Sequence, residues 1–100
     1  MQFAFDPCPE DRAFRFQHGA RARSLDEFRT ALRAAPAEAV QFHRTHFHPW
    51  VRDILRDPQL AERVRAEGER ARDGEQLRRA LDPLLEQALR TEERTAKGRR

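Results

Sequence analysis

Residues 24–34 read Ser-Leu-Asp-Glu-Phe-Arg-Thr-Ala-Leu-Arg-Ala, and this stretch decides the fold class. Ser24 is a favourable N-cap residue, and Glu27 three positions later completes a capping box that satisfies backbone N–H groups at a helix start. The apolar residues that follow recur at the spacing of one helix face and are Leu25, Phe28, Ala31 and Leu32. The stretch therefore predicts an amphipathic α-helix from Leu25 to Ala34.

Helix signals continue beyond this stretch. Pro36 ends the first helix and suits the first position of a second one, which we expect to end near Thr45. Pro49 suits the first turn of a third helix, and Asp57 followed by Pro58 is an N-cap and first-turn pair that begins a fourth. The apolar stripe of the third helix is formed by Trp50, Val51, Ile54 and Leu55, and we expect the only tryptophan to be buried with Phe47, Val51 and Ile54.

The longest apolar stripe lies in the C-terminal part of the chain and consists of Leu77, Leu81, Leu84, Leu85, Ala88 and Leu89. Asp82 and Pro83 interrupt it and predict a kink or a restart of the helix. Because the preceding helices already suffice for a core, part of the stripe is expected to remain uncovered, and a second copy would cover it. We therefore predict a homodimer through the C-terminal helix. The alternative is that this helix folds back over the first and third helices. The predicted interaction residues are Leu77, Leu81, Leu84, Leu85 and Leu89.

Two short segments with aromatics at alternate positions precede the first helix. They are Phe3-Ala4-Phe5 and Phe14-Arg15-Phe16, and a period of two is typical of a strand. The segments are expected either to pair as a hairpin or to run extended across the helices. The sequence thus predicts a mainly α fold, with four or five short helices in one compact domain over residues 1–90 and a short extended or hairpin N-terminal segment.

Charge is concentrated at the C-terminus. Residues 90–100 carry five basic and two acidic side chains, and 5 − 2 = +3 equals the net charge of the whole chain. Residues 91–100 are therefore predicted to form a basic flexible tail, and residues 1–89 carry no excess charge. Acidic residues alternate with the arginines at positions 63, 65, 70, 72, 78 and 79, which disfavours nucleic-acid binding. Nonspecific binding of nucleic acid through the tail is a third function class.

Cysteine content and hydropathy indicate a compartment. Cys8 is the only cysteine, so no disulfide within the chain can form, and the residues after Met1 do not resemble a signal peptide. No stretch approaches the roughly 18 consecutive apolar residues of a spanning helix. We therefore expect a cytoplasmic protein with no membrane association.

Three of the four histidines lie within residues 42–50. His43 and His46 share a face of a helix, whereas His46 and His48 share a face of extended backbone, so the three converge only if the helix ends before Pro49. Zinc would require a fourth ligand, for which Cys8, Asp6 and His18 are the candidates. The competing interpretation is that His43 is a packing residue, and no cofactor is then expected. A zinc-binding module built on His43, His46 and His48 is the alternative function.

Catalytic patterns do not emerge from the sequence. Nucleophilic catalysis needs a nucleophile, a base and an orienting group, and the chain has neither a glycine-framed serine or cysteine nor a tyrosine. The main functional prediction is a small cytoplasmic interaction or regulatory domain without catalysis, which binds a protein partner that the sequence does not identify.

A set of mostly apolar positions within residues 14–65 resembles an uncharacterised prokaryotic family of domains of unknown function. The matching motifs are Phe14-x-Phe16-x-x-Gly19, Ser24-Leu25-x-x-Phe28 with Leu32, Phe42-His43, Phe47-x-x-Trp50-Val51-x-x-Ile54 and Leu60-Ala61. His48 and Pro49 depart from the family pattern, which has small or acidic residues between the aromatic residue and the tryptophan. The resemblance implies one compact helical domain and no cofactor.

Overall fold

The computed structural model describes residues 8–98, with side chains described as far as residue 91. Within these residues the fold is mainly α, as predicted, and a two-stranded antiparallel hairpin lies on the N-terminal side of the helices. A 3-10 turn at Glu10–Arg12 comes first. The strands are β1 (Phe14–Arg15) and β2 (Arg21–Ala22), and the helices are α1 (Leu25–Ala34), α2 (Ala37–Phe42), α3 (Phe47–Asp53), α4 (Pro58–Arg70) and α5 (Gly74–Gly98).

Helix α1 has the predicted limits because its start signal is local. The Ser24 side chain accepts a hydrogen bond of 3.2 Å from the Glu27 N–H, and the Glu27 carboxylate accepts one of 2.9 Å from the Arg23 N–H. The first bond is the N-cap bond of the predicted capping box, whereas the second reaches the residue before the N-cap instead of the N-cap itself. The predicted apolar face of α1 is buried.

The hairpin contains one of the two predicted segments, residues 14–16, and its second strand is formed by residues 21–22. Phe14 pairs with Ala22 and Arg15 with Arg21, whereas the segment Phe3–Phe5 lies outside the described residues. The chain reverses through a turn in which the Gly19 N–H donates to the Phe16 carbonyl at 3.0 Å. Gly19 has a φ of 105°, a conformation that glycine adopts without steric cost.

The core on this side of the molecule is a cluster of aromatic rings centred on Phe14. Its ring centroid lies 4.8 Å from Phe16, 5.5 Å from Phe28, 5.3 Å from Phe47 and 5.7 Å from Trp50. Offset and edge-to-face arrangements at such distances stabilise a core beyond the area they bury. The predicted burial of the tryptophan is confirmed, with Phe47 and Val51 also buried and Ile54 partly buried.

Helix α5 covers its own apolar stripe within the chain. It packs against α1, α2 and α4, and the five leucines predicted to make an interface are buried there. The expectation that part of the stripe stays uncovered was therefore wrong. The alternative that the helix folds back over the chain is closer to the structure, with α1 as predicted and with α2 and α4 in place of the third helix. The homodimer stays a prediction. The buried leucines are Leu77, Leu81, Leu84, Leu85 and Leu89.

Four predicted helix limits are corrected. Helix α2 ends at Phe42 and not near Thr45. Helix α3 begins at Phe47, two residues before Pro49. The predicted place of Pro49 in the first turn is confirmed, and its missing N–H would have no acceptor within the helix there. Helix α5 runs through Pro83 without a restart, since buried leucines flank the proline on both sides. The same helix continues past Thr91 to Gly98 because the sequence there is rich in good helix formers.

Gly74 allows α5 to begin in contact with α2. A Cβ atom at this position would lie 2.0 Å from the Ala37 carbonyl oxygen and 2.8 Å from the Gln41 nitrogen, and both are backbone atoms. Any larger residue would force the two helices apart. This contact fixes α2 against the body of the molecule.

None of the helices in residues 8–98 combines the length and apolarity that a bilayer crossing requires.

Candidate functional site

The three clustered histidines of the sequence separate in the structure. His43 is buried at the end of α2, His46 is exposed immediately before α3, and His48 is half-buried within α3. The charges that act on His48 come from Arg52 and from α4, and burial lowers the pKa of His48. The fold therefore brings two of the predicted ligands together and directs the third towards a different helix. Among the described residues no group of three or more His, Cys, Asp and Glu side chains could hold a metal ion.

Of the proposed fourth ligands, Cys8 and His18 lie within the described residues, and neither forms a hydrogen bond with His43 or His46 there. Cys8 is buried beside β2, where its N–H donates to the Arg23 carbonyl at 2.6 Å, and burial raises the pKa of its thiol. His18 is exposed on the hairpin turn, with its ring 5.3 Å from that of Phe16. Asp6 lies outside the described residues. A buried thiol whose pKa is raised stays protonated and is a poor ligand and nucleophile.

His43 and His46 form a direct pair. Their Nδ1 atoms are 3.1 Å apart, and their rings meet edge to face at a centroid distance of 5.3 Å. The second ring nitrogen of His43, Nε2, accepts a hydrogen bond of 2.8 Å from the backbone N–H of Gln17 in the hairpin turn. Gln17, His43 and His46 therefore form a continuous chain of hydrogen bonds, which we call the histidine relay.

The histidine relay has a fixed direction because its first donor is a backbone amide. The Gln17 N–H can only donate, so His43 Nε2 must be unprotonated, and neutral His43 then carries its hydrogen on Nδ1. That hydrogen points at His46 Nδ1, which must accept it. Neutral His46 is left with its own hydrogen on Nε2. The relay thus ends in a donor on an exposed side chain.

This direction conflicts with zinc binding at His43. A histidine that ligates a metal normally donates its other ring N–H to an acceptor, whereas His43 Nε2 faces a donor. Coordination through His43 Nδ1 would require the Gln17 hydrogen bond to break. The predicted triad of His43, His46 and His48 is therefore corrected to a hydrogen-bonded pair with a separate third histidine.

Burial favours the neutral form of His43 that the histidine relay requires. Desolvation lowers the pKa of His43 below the ordinary value of 6.5, and the charges of His46 and His18 lower it further. The same ring packs at 5.2 Å from Phe14, so protonation would place a charge beside the aromatic core. Core packing and hydrogen bonding thus select the same protonation state.

Phe42 is the exposed large hydrophobic residue of the described part of the chain, with 55% of its surface accessible. Its ring lies against two imidazoles, at 4.9 Å from His43 and 5.8 Å from His46, nearly perpendicular to both. We call Phe42 and His46 together the Phe42 surface. The sequence contains no clear signal for this exposure, because Phe42 lies one turn after Ala39, which is buried, and so stands at the border of the buried face of α2.

Arg44 fastens the turn that carries the Phe42 surface. Its guanidinium donates to the Gly68 and Ala71 carbonyls at 2.5 Å each, and to the Gln41 side chain at 3.0 Å. The two carbonyls lie at the C-terminal end of α4, where backbone acceptors lack partners within the helix. The α2–α3 turn is therefore attached to α4 by a charged side chain. Sequence reasoning missed this role of Arg44 because the contact spans more than 20 residues.

The arginines considered for nucleic-acid binding are largely paired with carboxylates. Arg65 contacts Glu62 and Glu69 on α4, and Arg78 and Arg79 both contact Glu75 on α5. Such pairing is typical of a solvated helix surface.

A surface cavity of about 410 Å³ lies between α1 and α5, and its charged side chains also take part in ion pairs. The cavity is lined by Arg33, Arg78, Arg79 and Asp82.

No family model matches the chain, and searches of curated proteins and of solved structures give no match. The resemblance of residues 14–65 to a domain family stays a prediction. The chemistry of the histidine relay and the Phe42 surface therefore carries the functional argument.

Proposed function

We propose that this chain is a non-catalytic protein-interaction domain whose contact site is the Phe42 surface. The observation that carries the proposal is the exposure of Phe42 in a chain whose other large apolar side chains, over the described residues, are buried or nearly so. Fully burying a phenylalanine side chain contributes roughly 1.5–3 kcal/mol, and about half of this gain remains available in the free domain because 55% of Phe42 is exposed. A partner would obtain it on binding.

The side chains that pack beneath Phe42 hold its ring in place, which is what a binding residue needs. The ring rests on His43 and His46, and His43 is held by the histidine relay. Arg44 holds the same turn against α4. A side chain that is already ordered loses less conformational entropy when a partner binds. Aromatic anchors of this kind commonly carry a large share of the binding energy at protein interfaces.

Two features support a binding role over a chemical one. The thiol of Cys8 is buried and its pKa is raised, so it is a poor nucleophile at neutral pH. The buried ring of His43 has both nitrogens occupied by hydrogen bonds, which leaves neither free to take a proton from a substrate. The Phe42 surface thus offers an apolar contact and a donor rather than a catalytic base.

A peptide selection tests the proposal. A display library of random 12-residue peptides would be selected against the wild-type chain and then measured on Phe42→Ser and on Glu38→Ser. Glu38 is exposed one turn earlier on α2 and serves as the matched control. We expect selected peptides to lose binding to Phe42→Ser and to retain it on Glu38→Ser, with both variants folded by circular dichroism.

Two results would contradict the proposal. One is a library that yields no peptide above background, and the other is a set of binders indifferent to Phe42→Ser. Sedimentation of the wild-type chain and of Phe42→Ser distinguishes a partner from a second copy. If Phe42→Ser converts a dimer to a monomer, the Phe42 surface is a self-association site and the proposed partner binding fails.

A further inference from the structure

We infer that the Phe42 surface recognises an acidic peptide segment, in which an apolar side chain packs on Phe42 and a carboxylate accepts the His46 Nε2–H. This inference rests on the proposed function and adds the chemistry of the partner. It is based on the direction of the histidine relay, on the charges near the Phe42 surface and on the contacts of the Arg44 guanidinium, which are with neutral oxygens.

The histidine relay determines what kind of atom the partner can place against His46. Because His46 Nδ1 accepts from His43, the remaining nitrogen of neutral His46 carries a hydrogen. Over the part of the chain that the structure describes, no hydrogen bond occupies this nitrogen, and the side chain is exposed. A partner that presents an N–H or an ammonium group would set donor against donor. A partner that presents a carboxylate completes the relay.

Charge around the Phe42 surface also favours an acidic partner. Between Glu38 and Asp53 the chain contains no carboxylate, and Asp53 pairs with Arg52 at 2.8 Å, so Arg44 is the arginine of this segment that forms no ion pair within the described residues. Arg44 stands between Phe42 and His46 in sequence, and the hydrogen bonds of its guanidinium go to neutral oxygens of Gln41, Gly68 and Ala71. Its positive charge is therefore not balanced by those contacts. A complementary negative charge on the partner would increase both the association rate and the specificity.

A single-stranded nucleic acid is the competing ligand, since bases stack on aromatic rings and phosphates seek cations. The observations favour the peptide. Tracking a phosphate backbone needs a row of available cations, and the arginines of α4 and α5 that would extend the surface are paired with glutamates. One ring and one directed donor instead match a short peptide contact.

The test uses a synthetic peptide taken from the selection on the wild-type chain, together with versions in which each glutamate or aspartate becomes glutamine or lysine. Affinity would be measured by fluorescence anisotropy on wild type, Phe42→Ser and His46→Phe. The His46→Phe variant keeps a ring against Phe42 and removes the donor. We expect the acidic peptide to bind wild type about tenfold or more tightly than the glutamine version, because hydrogen bonds to charged groups are the strong ones.

The variants separate the two proposals. We expect His46→Phe to lose most of the preference for the acidic peptide over the glutamine peptide, because the hydrogen-bond donor is absent and only the attraction to the charge of Arg44 remains. Equal binding of both peptides by wild type, with loss of both on Phe42→Ser, would overturn this inference and leave the proposed function standing. Selection of basic peptides, or tighter binding of a thymidine oligonucleotide than of any peptide, would also overturn it. If every peptide binds Phe42→Ser as tightly as wild type, the proposed function itself is wrong.

Discussion

The indole Nε1 of Trp50 donates a hydrogen bond of 2.8 Å to the backbone carbonyl of Arg12, 38 residues earlier in the chain. This bond joins α3 to the 3-10 turn before the hairpin, so the only tryptophan fixes the hairpin as well as filling the core. Because the hairpin supplies the Gln17 N–H, the bond also supports the histidine relay. The relay thus depends on a contact outside the histidine segment.

Trp50→Phe is expected to lower the free energy of unfolding by about 1–3 kcal/mol, because the Arg12 carbonyl loses its donor while most of the ring volume remains. Trp50→Ala should cost about 3–5 kcal/mol through the cavity it leaves. Urea denaturation followed by circular dichroism measures both. Equal stability of Trp50→Phe and wild type would show that the indole hydrogen bond contributes nothing.

Gly74→Ala is expected to destabilise the chain by roughly 1–3 kcal/mol or more, because its Cβ would overlap the Ala37 carbonyl oxygen. Gly68→Ala is the matched control. Its Cβ would lie 3.2 Å from the Arg44 carbonyl oxygen, and alanine is favoured over glycine inside a helix by about 0.5–1 kcal/mol. We expect thermal melts to place Gly68→Ala close to wild type. A Gly74→Ala chain as stable as Gly68→Ala would contradict the close α2–α5 contact.

Arg44→Met keeps the aliphatic stem and removes the donors that bind the Gly68 and Ala71 carbonyls. We expect a loss of about 1.5–3 kcal/mol in unfolding free energy, the range for hydrogen bonds to charged groups. Arg63→Met, at an exposed position on α4, should change stability by less than about 0.5 kcal/mol. Hydrogen exchange would show faster opening of the C-terminal turn of α4 only in Arg44→Met. Unchanged exchange there would argue against the attachment of the α2–α3 turn to α4.

Stability should fall as the pH drops below about 6.5. Burial lowers the pKa of both His43 and His48 from this value, so the unfolded chain takes up protons on these residues before the folded chain does. Their contribution is complete above pH 6.5 and is lost as the pH falls from there through the folded pKa values. Urea midpoints between about pH 5.5 and 8 measure the slope. His43→Gln and His48→Gln should each flatten it, and a slope unchanged in the double variant would contradict this assignment.

Features of the fold that depend on residues close together in the sequence could be predicted. The limits of α1 follow from Ser24 and Glu27, which interact across three residues, and the fold class follows from the repeated helix signals. The leucines of α5 were correctly recognised as one apolar face. The helices that cover that face were only partly predictable: α1 was named in the alternative prediction, whereas the contacts with α2 and α4 depend on the path of the whole chain.

The candidate site was only partly predictable for the same reason. The sequence identified residues 42–50 as the segment that holds the chemistry, and His43 and His46 do meet there. It could not reveal that the Gln17 backbone N–H lies against His43, since the two residues are 26 positions apart and a backbone amide has no sequence signature. That one donor changes the interpretation of the pair from metal ligands to a directed chain of hydrogen bonds.

The measurement that tests the central claim most directly is a long-range ¹H–¹⁵N correlation spectrum of the histidine side chains at about pH 7.5, where neutral imidazoles predominate. The direction of the histidine relay predicts that His43 carries its hydrogen on Nδ1 and that His46 carries its hydrogen on Nε2. His46→Phe would assign the His46 signals. A His43 protonated on Nε2, or a His46 that averages between its two tautomers, would contradict the relay and with it the outward donor beside Phe42.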